Sequence, residues 1–129
     1  MKPDGSVVVL DWLDRQATET LYLTTPSLAE LLVGIQVLPA GRRKTGLAAA
    51  LTELMAGLFD VRILLFDRQS AEMYATLVGR ARRAGCAISV ADAQIGAIAA
   101  VHGFTVATRD TVPFTAAGVP VINPWGDAN

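Results

Sequence analysis

Residues 89–110 read SVADAQIGAIAAVHGFTVATRD, and their pattern decides the fold class. Ser89 is a favourable helix N-cap, and the Ala- and Ile-rich run after it carries one carboxylate, Asp92, in its first turn. His102-Gly103 forms a helix stop, because a glycine past the last turn takes up the left-handed conformation cheaply. Phe104 to Ala107 then reads as a short strand, with Asp110 just beyond its end. In a parallel α/β sheet the starts of helices and the carboxyl ends of strands face a common crevice where ligands bind. Two carboxylates brought there repel each other unless a cation or a shared proton joins them.

The alternation of strand and helix continues on both sides of this block. Thr20 to Thr24 predicts a short strand, and Thr25-Pro26 supplies an N-cap and a first-turn proline for a helix reaching about Val37. Pro39-Ala40-Gly41 breaks that helix. Arg42 to about Phe59 reads as a second helix, Val61 to Phe66 as a buried strand, and Gln69 to Ala84 as a third helix stopped by Gly85. Val119 to Ile122 is a last short strand before the NPW ending. Alternation of this kind predicts an α/β protein with a mostly parallel sheet. Val7 to Gln16 is ambiguous: three valines favour a strand, whereas Leu10, Trp12 and Leu13 among acids favour an amphipathic helix.

The 129 residues amount to one domain's worth of chain, 52% hydrophobic and 18% charged, which points to a compact globular protein. A net charge of −1 makes no general demand for nucleic acid. The cations are nevertheless grouped, Arg42, Arg43 and Lys44 in one run and Arg80, Arg82 and Arg83 in another. Either run reads as a solvated helix face or as a rim tracking phosphates. The single cysteine, Cys86, forbids an internal disulfide and reads as a small buried hydrophobe. No apolar run is long enough to span a membrane, and MKPDGS does not resemble a secretory signal, so a cytoplasmic location is expected.

Three acids stand out. Glu30 is the only charge in SLAELLVGIQVL, a helix apolar over most of its circumference, so it is either a buried, partnered carboxylate or part of a narrow exposed stripe with Gln36. Asp92 has capping-box spacing from Ser89, and a strand-end Asp110 is ordinary turn chemistry. Together, however, they suit a hard cation such as Mg²⁺ or Mn²⁺, with Thr108 placed to hold a water or an acid by its hydroxyl. Such an ion lowers the pKa of a bound water and stabilises charge on a phosphodiester. The lone histidine, His102, reads as structural. No Cys/His cluster, P-loop or dinucleotide fingerprint is present, and Ser27 and Ser89 have no partner for nucleophilic catalysis.

The runs SLAELLVGIQVLPAGRRK, ISVADAQIGAIAAVHGFTVATRD and VINPW together resemble the PIN-domain toxins of the VapC/FitB type, over Trp12 to Trp125. The resemblance implies a three-layer α/β/α fold and a metal-dependent endoribonuclease in which Glu30, Asp92 and Asp110 are the metal-binding, catalytic acids and a metal-activated water attacks RNA. It also implies Mg²⁺ or Mn²⁺ as cofactor, a homodimer, a cognate antitoxin that inserts a peptide near the site, and promoter DNA bound only through that antitoxin. Such toxins open with a central strand ending in Asp-Thr-Asn, which this sequence lacks at its start, so the first strand is expected to be missing or replaced. Val7 to Leu10 with Asp11 could stand in for it, against the helical reading of the same segment. A catalytically weak or inactive remnant that still dimerises and binds antitoxin is the alternative function. A receiver-like signalling domain is disfavoured, because no acid pair accompanies a convincing first strand.

Overall fold

A computed structural model describes residues 21–58 and 62–125. They fall into two compact units that meet in sequence between Leu64 and Leu65. The surrogate-strand expectation for Val7 to Leu10 and Asp11 lies outside the described residues.

In the first unit the order is β1 (Leu23–Thr24), α1 (Thr25–Gln36), α2 (Arg42–Leu58) and β2 (Ile63–Leu64). The N-cap of α1 is Thr24, one residue earlier than expected. Its Oγ1 accepts from Ser27 N at 3.1 Å, which leaves Thr25-Pro26 inside the first turn where a proline costs no hydrogen bond. At the other end Lys44 Nζ donates to the Gln36 carbonyl at 3.1 Å, satisfying a C-terminal acceptor with a cation. β1 and β2 pair in parallel, Leu23 opposite Ile63 and Thr24 opposite Leu64. The core joins Leu21, Leu23, Leu31, Ile35, Leu47, Leu51 and Leu58, with Leu28 and Leu38 extending the buried stripe of α1. That stripe is narrower than the sequence suggests. Glu30 and Gln36 are exposed, but so are Leu32, Val33 and Val37, at 51, 60 and 74%. Glu30 therefore stands on an exposed face that is wide and partly apolar.

In the second unit α3 (Arg68–Arg83) is followed by α4 (Val90–His102), β3 (Val106–Ala107), α5 (Val112–Ala117) and β4 (Val121–Ile122). Asp67 caps α3 by accepting from Ser70 N at 2.9 Å, and Arg80, Arg82 and Arg83 occupy its last turn, where the helix dipole favours cations. Ser89 caps α4 by accepting from Asp92 N at 3.1 Å, and Gly103 ends it at φ 70°, a left-handed conformation a side chain would strain. β3 and β4 are parallel, Val106 opposite Val121 and Ala107 opposite Ile122. The strands span just these two-residue segments, where longer ones were expected from Phe104 to Ala107 and from Val119 to Ile122. α5 was not expected at all. Its signals are a proline in the first turn and Gly118 at φ 80° as stop. Cys86 is half-buried, more open than its Ala-rich setting suggested.

Small residues explain how α4 sits. Ala93, Gly96, Ala97, Ile98 and Ala99 are all buried, and α4 packs on both α3 and α5. A Cβ at Gly96 would lie 3.4 Å from Leu77 Cδ1 and 3.4 Å from Phe114 Cδ1, so a methyl group would sit at the near edge of van der Waals contact and nothing larger fits without displacing these side chains. Phe114 and Leu77 are themselves almost wholly buried. Gly96→Val drives two further methyl groups into these side chains and is expected to cost about 1–3 kcal/mol by overpacking. Urea denaturation is the measurement, and a midpoint equal to that of the parent protein would contradict this packing.

Candidate active site on the second unit

The parallel pairing of β3 and β4 releases both chains at the same edge. The ladder continues one step beyond β3, with Thr108 N donating to the Ile122 carbonyl at 3.0 Å. Thr108, Arg109 and Asp110 therefore leave beside Asn123, Pro124 and Trp125. Asp110 N donates to Thr108 Oγ1 at 3.2 Å, a local turn that pins the loop, and Asp110 itself is exposed. Thr108 thus acts on the backbone of an acid.

Asp92, in the first turn of α4, is the second member. Burial is the main cause that pushes its carboxyl above the ordinary carboxylate range; hydrogen bonding with Ser89 opposes this, and the negative charge of Asp110 adds to it. The expected crevice acids Asp92 and Asp110 are thus close enough to feel one another. Glu30 belongs to the first unit, on the exposed face of α1. Within neither unit do three or more His, Cys, Asp or Glu side chains among the described residues come together as a metal-holding group. His102 stacks on Phe104 at a centroid distance of 5.5 Å, in keeping with its structural reading.

One pair at this edge was not singled out from sequence. The Arg109 guanidinium lies over the Trp125 ring, 5.8 Å from its centroid, within cation–π range. Trp125 N donates to Asn123 Oδ1 at 3.1 Å, which turns the chain after β4. The available signal was the position of each residue just past one of two strands that pair in parallel.

The PIN domain family model matches residues 2–119. The chain belongs to the PIN-domain family. It is 52% identical over 117 residues to the plasmid stability protein StbB of Pseudomonas syringae pv. tomato, covering 91% of this chain and 84% of that protein. It is 43% identical over 127 residues to VapC ribonuclease Y4jK of Sinorhizobium fredii, covering 98% of this chain and 91% of the relative. Toxin FitB of Neisseria gonorrhoeae is 41% identical over the same length, again covering 98% and 91%. Among solved structures, a chain of FitAB bound to an IR36 DNA fragment superposes with a TM-score of 0.79 at 39% identity, covering 100% of this chain and 89% of that one. The α/β PIN fold and the resemblance to VapC and FitB toxins expected from the sequence are thus both found.

The raised Asp92 carboxyl has a stability consequence. An acid whose folded pKa lies above its unfolded one favours folding while protonated, and that contribution is lost as pH rises through the folded value. Near neutral pH the ionised Asp92 therefore works against the fold when no cation is bound. In chelator-treated protein Asp92→Asn is expected to melt above the parent at neutral pH, with the difference shrinking as pH falls through the carboxylate range. Thermal denaturation against pH checks this, and a lower melting point for the variant at neutral pH would refute it.

Proposed function

We propose that this PIN domain is a divalent-metal-dependent endoribonuclease toxin of a toxin–antitoxin pair, with Glu30, Asp92 and Asp110 as its metal ligands. The observation that carries the reading is the half-buried Asp92 carboxyl, pushed up by burial and by the charge of Asp110 at the carboxyl ends of a parallel strand pair. A structural capping residue needs neither the burial nor the like-charged neighbour. The names of its relatives, a VapC ribonuclease and a FitB toxin, support the same reading.

The donors fit Mg²⁺ or Mn²⁺. Carboxylate oxygens are hard ligands, and Mg²⁺ is commonly held by one or two carboxylates, with waters and phosphate oxygens completing its shell. When bound, such an ion supplies Lewis-acid stabilisation of phosphodiester charge and acidifies water. The chain's own part is positional: Ser89 anchors the turn bearing Asp92, and Thr108 fixes the backbone of Asp110. Glu30, which belongs to the first unit, is retained as the third proposed ligand on the sequence pattern alone.

The antitoxin is proposed to use the first unit. An open, largely apolar groove of about 630 Å³ runs between α1 and α2, lined by Leu28, Leu32, Ile35, Leu51 and Met55 with Lys44 at its rim. Such a surface suits the apolar face of an amphipathic peptide. Promoter DNA is assigned to the complex and not to this chain, because a net charge of −1 gives the toxin little attraction for DNA, whereas the FitAB relative binds DNA as a pair. A homodimer in the cytoplasm belongs to the same reading, and no helix among the described residues is long and apolar enough to cross a membrane.

The second reading, a non-catalytic antitoxin-binding module, is favoured by one observation: neither unit by itself gathers three ligating side chains among the described residues. The experiment compares metal binding and cleavage. The nuclease is expected to cut single-stranded RNA only with Mg²⁺ or Mn²⁺ present, and either ion should raise its melting temperature. Asp92→Asn and Asp110→Asn should each cost at least the ~10–100-fold in activity that losing an outer-shell partner costs a metal site, and each should blunt the thermal shift. No calorimetric binding of either ion, with no cleavage, would leave the binding module as the function.

A further inference from the structure

The carboxyl edge of the second unit carries charge of both signs. Its acids suit a cation and repel a polyanion, so a nucleic acid backbone needs a separate cationic group to seat it there. Arg109 stands in that place. It lies between Thr108 and Asp110 in sequence and is exposed, and among the described residues no carboxylate pairs with it; its guanidinium rests on the Trp125 ring. The backbone that carries Trp125 is in turn held by the ladder bond from Thr108 to Ile122 and by the Asn123 turn. An arginine laid on an indole keeps its planar fork of N–H donors available at the edge while its stem loses much of its rotamer freedom before any ligand arrives. A guanidinium so held matches two oxygens of one phosphate.

We propose that Arg109, braced by Trp125, is a positioning residue that holds a backbone phosphate of single-stranded RNA beside the Asp92–Asp110 pair, a placement that rests on the ribonuclease reading given above. Asp92 and Asp110 would take the cation and Arg109 a neighbouring phosphate. An acidic segment of a protein partner is the competing occupant. RNA is favoured because the ribonuclease reading already seats one phosphodiester at the Asp92–Asp110 pair, so that a neighbouring phosphate of the same strand meets the adjacent cation.

The test uses the full chain in an Asp92→Asn background, so that RNA is not consumed, and a short fluorescein-labelled single-stranded RNA of mixed sequence. Fluorescence anisotropy over a range of salt reads affinity and its ionic dependence together, and circular dichroism confirms folding. Arg109→Gln is expected to weaken binding about tenfold, as removing a charged hydrogen bond does. It should also flatten the slope of log affinity against log salt by ~0.7, the value for one lost phosphate contact on a single strand. Arg109→Lys should keep the slope and lose part of the affinity. Trp125→Leu, which keeps the charge and removes its support, should lose affinity severalfold with the slope retained, whereas Trp125→Phe should stay near the parent. In protein with Asp92 intact, Arg109→Gln should raise KM more than it lowers kcat. Unchanged affinity and slope in Arg109→Gln would overturn the proposal while leaving the nuclease reading in place. So would loss of antitoxin binding with RNA binding intact, which would assign Arg109 to the protein partner. Failure of the protein with Asp92 intact to bind or cleave the RNA in the presence of Mg²⁺ would overturn both.

Discussion

The close approach of α4 to Leu77 and Phe114 at Gly96 governs the second unit. The space over Gly96 is no larger than a methyl group, and the flanking buried alanines continue the same close fit. Asp92 lies one turn N-terminal to Gly96, so this packing also draws its carboxyl partly out of water. Phe114, the aromatic partner in the contact, lies on the helix that begins just after Asp110. The same contact therefore ties the loop bearing the second acid to the helix bearing the first. A site built this way is anchored by apolar packing, which is indifferent to the charge it presents.

That anchoring lets the site hold an unfavourable pair of charges. A half-buried carboxylate beside another carboxylate is a local destabilisation that a well-packed helix can sustain and that a bound cation would relieve. Among the described residues no ion pair joins Arg109 to Asp92 or Asp110, and its guanidinium lies over Trp125 at the end of the neighbouring strand. Opposite charges thus stand at one edge without quenching each other. The proposed metal-assisted reaction would use this separation, since a carboxylate tied up by a guanidinium is a poor ligand and the guanidinium a poor phosphate grip.

The first unit distributes its hydrophobic residues differently. Leu28, Leu31 and Ile35 turn inward along α1 and Leu38 follows just beyond its end, while Leu32, Val33 and Val37 remain exposed, Leu32 lining the groove shared with α2. Clustered exposed apolar residues beside such a groove fit a surface that a partner covers. Glu30 shares this exposed face of α1.

Much of this was legible in the sequence because it rests on local rules. Thr24 or Thr25 before Pro26, Ser89 before an alanine-rich run, and Gly103 after His102 mark helix ends through backbone hydrogen bonding and φ preferences that need no distant partner. The alternation of elements fixed the α/β class for the same reason, and Asp92 and Asp110 could be singled out from their places at a helix start and a strand end. Burial around a helix was less legible: α1 reads as apolar nearly all round, and only packing chose which stripe faces inward. The short helix α5 was missed because six residues carry too little periodicity to register, and the strands proved shorter because pairing depends on a neighbour brought from elsewhere in the chain. The sequence by itself determined the element types, their caps and the candidate acids. Tertiary structure alone decided that Asp92 is half-buried within reach of the charge of Asp110, and that Arg109 rests on Trp125. Both depend on side chains far apart in sequence meeting across packed helices and a parallel strand pair.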